Sequence, residues 1–137
     1  MIARDVMTDS PTAVRETARL GDAFEILHNL DIRHLPVVNA DHEVVGMLSD
    51  RDLGNGPPPS RAMAAIVGPS HFRRDTPVSR VMSGDVVTTG PENDVVEVAD
   101  LMVENRIGAV PVVDPEGRLL GIVSYVDLLR ALGHARD

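Results

Sequence analysis

Displaced by 75 residues along itself, without a gap, the chain falls on its own most distinctive segments. Val6-Met7-Thr8 meets Val81-Met82-Ser83, Ile32 meets Ile107, and Pro36-Val37-Val38 meets Pro111-Val112-Val113. Gly46, Ser49, Asp52 and Leu53 meet Gly121, Ser124, Asp127 and Leu128. Composition alone does not produce identities at one fixed offset in four separated blocks, so the chain holds two copies of one supersecondary unit. A length of 137 residues suits one ordinary domain, and the two copies are expected to share a core as one pseudo-two-fold body.

Each copy repeats one order of patterns. A short extended segment (11–14; 86–89) leads into a helical stretch. In the first copy Leu20, Phe24, Leu27 and Leu30 recur at helical steps, with Thr17 the expected N-cap. In the second, Val95, Val98, Leu101 and Met102 follow Asn93. Paired apolar runs come next, 35–38 and 44–48 around Asn39-Ala40-Asp41-His42, then 110–113 and 119–123 around Asp114-Pro115-Glu116-Gly117. These read as strands joined by turns. A final helix starts at Ser49 or Ser124, the second stopping at Gly133, because glycine favours helix ends. The unit is β-α-β-β-α, an α/β (α+β) arrangement whose sheet buries helices on one face. Gly54-Asn55-Gly56-Pro57-Pro58-Pro59-Ser60 cannot continue a helix or a central strand and reads as a linker. Repeat 1 is therefore set at 1–56, a linker with a short helix over 61–67 at 57–75, and repeat 2 at 76–137, while 69–76 reads as a surface loop.

The formal charge of −8 argues against nucleic acid as the main partner, since that affinity rests on clustered Lys and Arg. The absence of cysteine removes disulfides, thiolate nucleophiles and Cys-ligated metals. No apolar run approaches the roughly 20 residues that span a bilayer, and no signal-peptide run opens the chain. The expectation is a cytoplasmic protein without a membrane partner. Phe24, Phe72 and Tyr125 are the only aromatics, so Val, Leu, Ile, Met and Ala must build the core. His28, His34, His42, His71 and His134 have no metal-ligand spacing, and no Gly-rich phosphate loop or nucleophile elbow occurs, so no metal and no catalytic residue is assigned.

Both second strands run into Gly-x-x-Ser-x-x-Asp: Gly46, Ser49 and Asp52, then Gly121, Ser124 and Asp127. Ser at a helix N-cap with an acid three residues on has the form of a capping box. The same place, a helix start after a strand, also offers backbone N–H groups to an anion, and a carboxylate beside it can accept from a vicinal diol. Both readings stand at this point.

The blocks Val6-Met7-Thr8, His34-Leu35-Pro36-Val37-Val38 and Gly46-Met47-Leu48-Ser49-Asp50-Arg51-Asp52-Leu53, with their partners ending in Ala109-Val110-Pro111-Val112-Val113-Asp114 and Gly121-Ile122-Val123-Ser124-Tyr125-Val126-Asp127-Leu128, closely resemble tandem cystathionine-β-synthase (CBS) domains. The resemblance spans essentially the whole chain. It implies a Bateman module: two CBS repeats packed with pseudo-two-fold symmetry, with clefts between them for AMP, ADP, ATP or S-adenosylmethionine as a regulatory ligand and no obligatory cofactor. By the same resemblance Asp52 and Asp127 grip ribose diols, Ser49 and Ser124 contact ribose or the first phosphate, and Thr12, Val87, Ile32, Arg33, Ile107 and Gly108 line the adenine. Arg33, His34 and Arg51 align with Gly108, Ala109 and Val126, so charged side chains for phosphate come chiefly from the first copy. The implied protein is a stand-alone ligand sensor, not an enzyme, that forms a homodimer and acts on another, unknown protein. The rival readings are an interaction scaffold with empty or degenerate clefts, its Ser-x-x-Asp segments only capping helices, and an enzyme acting on the nucleotide, for which no base or metal site is evident.

Overall fold

The computed structural model describes residues 1–30, 32–49 and 74–136. The elements are α1 (Ala3–Val6), β1 (Thr8–Asp9), β2 (Val14–Arg15), α2 (Leu20–Asn29), β3 (His34–Val38), β4 (Val44–Ser49), a 3-10 turn (Val78–Arg80), α3 (Val95–Asn105), β5 (Ala109–Val113), β6 (Leu119–Ser124) and α4 (Tyr125–Arg136). They form a mixed α+β fold with two three-stranded sheets, ordered β1-β6-β5 and β2-β3-β4. The expected linker up to residue 73, its short helix and the helix after Ser49 lie outside the described residues.

The chain divides into two compact units, one comprising Met1–Thr12, Ala40–Val44 and Val86–Asp137, the other Ala13–Asn39 and Val45–Asp85. In the first unit the N-terminal segment docks on the start of α3. The Ala3 N–H donates to Asn93 O at 2.8 Å, Arg4 N–H to Pro91 O at 3.0 Å and Val95 N–H to Met1 O at 3.0 Å. The second unit repeats this 75 residues on: Val78 N–H donates to Ala18 O (2.8 Å), Ser79 N–H to Glu16 O (3.3 Å) and Leu20 N–H to Thr76 O (2.8 Å). The docked segment then pairs with a strand, as β1 on β6 (Thr8↔Ile122, Asp9↔Gly121) in one unit and as the single bridge Ser83↔Met47 in the other.

These contacts explain two recurrences in the sequence. A Cβ on Gly121 would lie 2.5 Å from Met7 Sδ, and a Cβ on Gly46 would collide with Met82 Sδ. The strand glycine therefore leaves room for the methionine of the docked segment, whose flexible thioether fills the gap. Each unit has an aliphatic core: Val14, Leu20, Ala23, Leu27, Leu35, Val37, Leu48 and Val78 in one, Ala3, Val98, Met102, Val110, Val112 and Val123 in the other. Ala3 and Val78, from the docked segments, are completely buried.

Several helix boundaries differ from the sequence expectation. Helix α2 begins after Arg19 with no side-chain cap. Its first donors, Leu20 N–H and Gly21 N–H, reach the carbonyls of Thr76 and Arg74 at 2.8 Å, so a Thr17 cap is not required. The cap of α3 is Asp94, not Asn93; its carboxylate accepts from Val96 N–H at 2.8 Å. Helix α4 continues through Gly133 to Arg136, with no left-handed residue at that glycine. On α2 the buried face takes Ala23 and leaves Leu30 about half exposed. The leading strand of the second copy shrinks to one parallel bridge, Thr89↔Val112. Among the described residues no helix is long and apolar enough to cross a membrane.

Candidate functional site

The β5-β6 hairpin sets the geometry in the second copy. Its register places Ala109 opposite Ser124 and Val110 opposite Val123, with an irregularity at Val112/Val113. Ile107, half-buried against the core, donates its N–H to Met102 O at 3.1 Å and so closes the end of α3. One residue on, Gly108 O accepts from Tyr125 N–H at 3.0 Å, tying the loop before β5 to the first residue of α4. The Thr89↔Val112 bridge carries the segment with Val87 alongside β5. Val87, Ile107, Gly108, Ser124 and Asp127 thus all belong to one compact unit.

Ser124 and Asp127 form a closed reciprocal pair. The Ser124 N–H donates to Asp127 Oδ2 at 2.8 Å and its hydroxyl donates to the same oxygen at 3.1 Å. Asp127 N–H returns a bond to Ser124 Oγ at 3.3 Å. This is the capping box anticipated from the spacing, formed at the start of a 12-residue helix. The pair is half-buried, so it remains open to solvent on one side.

In the first copy Ser49 ends β4, and Ile32 closes α2 through its N–H to Leu27 O at 3.1 Å while packing on that unit's core. Arg33 is exposed. Asp52 and Arg51 lie outside the described residues. Thr12 is exposed and follows Ser10, whose N–H donates to Leu120 O, toward the end of β6 opposite Ser124. Among the described residues no group of three or more His, Asp or Glu side chains is placed to hold a metal ion.

Met7 and Met82, whose recurrence at the repeat starts marks them for packing, lie over the glycines that open both Gly-x-x-Ser-x-x-Asp stretches. One feature near the site was missed by sequence reasoning. Thr89, two residues beyond Val87, is buried, and among the described residues its hydroxyl has no hydrogen-bond partner. Its counterpart at the same offset, Val14, belongs to the other core, and that mismatch was readable.

The CBS domain family model matches residues 3–53 and 78–134. Among curated proteins, an uncharacterized protein of Methanocaldococcus jannaschii, MJ1426, is 30% identical, the alignment covering 96% of this chain and 91% of the relative. A homoserine O-acetyltransferase of Methanococcoides burtonii is 32% identical over 94% of this chain, which spans 24% of that longer protein. Among solved structures, the CBS domain pair of protein MJ0100, in complex with 5′-methylthioadenosine and S-adenosyl-L-methionine, superposes with a TM-score of 0.79 at 26% identity, covering 98% of both chains.

Proposed function

This chain belongs to the CBS domain family, and from that premise we propose that it is a regulatory module, not an enzyme, that binds an adenosine-containing ligand and relays its occupancy to a partner protein. The observation that carries the reading is the whole-length likeness to the MJ0100 CBS pair, a protein solved with two adenosine derivatives bound. The local chemistry supports it: Gly108, Ser124 and Asp127 are tied together at the start of α4, and the carboxylate retains an oxygen for a ribose hydroxyl. The ligand is AMP, ADP, ATP or S-adenosylmethionine. Ser49 with Asp52, and Ser124 with Asp127, supply its polar contacts, while Thr12, Val87, Ile32, Arg33, Ile107 and Arg51 complete the binding residues.

The protein acts in the cytoplasm as a homodimer in this reading. Val96 and Val103 on α3 are 64% and 77% exposed, and Leu129 and Leu132 on α4 are each 61% exposed. A second copy that covers these side chains removes apolar surface from water. The regulated partner is a separate protein; the enzyme-length relatives, of which this chain spans about a quarter, make a metabolic enzyme the first class to test.

The experiment is native mass spectrometry of freshly purified protein combined with thermal melting. A ligand that binds only the folded state adds about 2.7 kcal/mol at 100 times its dissociation constant. The expected shift is several degrees with at least one of the four ligands and much less with GTP. The closed Ser124–Asp127 box favours one rival, a scaffold in which the motif only caps a helix. Melting unmoved by all four ligands at millimolar concentration would establish that rival.

A further inference from the structure

The donors and acceptors at the start of α4 determine which part of a ligand fits there; this rests on the adenosine-binding reading above. An anion seated at a helix N-terminus needs unspent N–H groups. Here the Ser124 N–H is held by Asp127 Oδ2 (2.8 Å), the Tyr125 N–H by Gly108 O (3.0 Å) and the Asp127 N–H by Ser124 Oγ (3.3 Å). The Ser124 hydroxyl proton is spent as well, on the same Asp127 oxygen at 3.1 Å. Among the described residues, only the Val126 N–H of this first turn has no acceptor.

Acceptors, by contrast, remain available. Both bonds that Asp127 receives end on Oδ2, so among the described residues Oδ1 accepts nothing and keeps its lone pairs. Ser124 Oγ has one lone pair beyond the bond from Asp127 N–H. The group is thus anionic, rich in acceptors and nearly without donors. Gly108, Ala109 and Val126 add no charge at the positions where the first copy has Arg33, His34 and Arg51. Arg106 and Arg130 are the nearest cations in sequence, and both are exposed, where water and salt screen them. A phosphate offers only acceptors and negative charge, and it meets more of the same; hydroxyl and ammonium groups meet complementary oxygens.

We propose that the half-site built from Gly108, Ser124 and Asp127 selects adenosine derivatives that lack phosphate and discriminates against AMP, ADP and ATP. The test is a 1H–15N NMR titration of the full chain with 5′-methylthioadenosine, AMP and ATP, following the Gly108, Ser124, Val126 and Asp127 amides. The phosphate-free ligand is expected to move these signals at a half-saturation at least about tenfold lower than AMP. AMP or ATP moving them at equal or lower concentration overturns the proposal and leaves the adenosine reading intact. The proposal also falls alone if ligands bind but shift only amides elsewhere in the chain. If no ligand moves any amide, the adenosine reading falls with it. Asp127→Asn keeps one acceptor for the Ser124 cap, removes the charge and places an NH2 donor on the open side. With spectral dispersion showing that it folds, this variant is expected to shrink the preference over AMP by about tenfold or more, and an unchanged preference overturns the proposal.

Discussion

In both compact units a methionine from a docked segment lies where a glycine lacks a side chain, Met82 over Gly46 in one and Met7 over Gly121 in the other. The backbone bonds that seat those segments match pair by pair, Ala3 to Asn93 as Val78 to Ala18. At other positions of the same units the copies differ. Arg33 and His34 stand where the second copy has Gly108 and Ala109, and Val14 stands where it has Thr89. Close packing tolerates little change at the docking contact, because an added methyl group there meets a methionine side chain and, at Gly121, backbone as well. Arg33, exposed ahead of its hairpin, carries no such burden and is free to differ from Gly108.

The docking contact gives the largest expected effect. Gly121→Ala should destabilise the protein by about 2–3 kcal/mol, and Gly46→Ala by about 1 kcal/mol. The difference lies in what the new methyl group meets. At Gly46 the three nearest atoms all belong to the flexible Met82 side chain, whereas at Gly121 the Thr8 carbonyl oxygen is 2.9 Å away and is fixed by the β1-β6 pairing. Urea unfolding of both variants measures the difference; equal losses would mean that the two docking sites yield alike.

Next in size is Asp127→Ala. Loss of a charge-assisted hydrogen bond to ligand should weaken binding by about 1.5–3 kcal/mol, ten- to hundredfold. Loss of its cap should lower ligand-free stability by only about 1 kcal/mol. Titration calorimetry against ligand-free melting separates these, and a stability loss with unchanged affinity would leave Asp127 a capping residue alone.

The capping box, the hairpin strands and the Asp114–Gly117 turn were legible because local chemistry decides them: a hydroxyl and a carboxylate three residues apart, a run of β-branched residues, a glycine at positive φ. The helix starts were not. Arg19 precedes α2 and Thr17 does not cap it, because carbonyls more than fifty residues away satisfy the first N–H groups, and no local pattern carries that information. Gly133 lies inside α4 for a related reason: glycine ends a helix only where the chain turns left-handed, and here it does not turn. The motif residues of the candidate site were readable, but the hydrogen-bond state of Ser124 and Asp127, which decides what they can still offer a ligand, was not.

A gain of about 1 kcal/mol is expected from Thr89→Val. The Thr89 hydroxyl is buried without a partner among the described residues, and an unsatisfied buried polar group costs about 1–3 kcal/mol. Valine is the residue the first copy already uses at this offset, as Val14, which is buried in its core. The increase should appear in thermal melting without ligand. A decrease would show that the hydroxyl makes a favourable interaction in the folded protein.

The smallest effect separates the two hairpin turns, which place a left-handed residue at the same offset: His42 at φ 66° and Gly117 at φ 85°. An L-residue in this conformation costs about 1 kcal/mol or more, while glycine has none of that strain but loses about 0.5–1 kcal/mol more backbone entropy on folding. For His42→Gly the two terms nearly cancel, so stability should change by less than about 0.5 kcal/mol. For Gly117→Ala they do not cancel in the same way. Among the described residues nothing lies within 4 Å of the position an added Cβ would take, so the φ angle is what opposes the substitution, and φ 85° lies beyond the usual left-handed region near 57°. The expected loss is about 1 kcal/mol. Chemical unfolding of the two variants side by side tests the asymmetry, and it would vanish if the second turn could relax to the angle that His42 already adopts in the first.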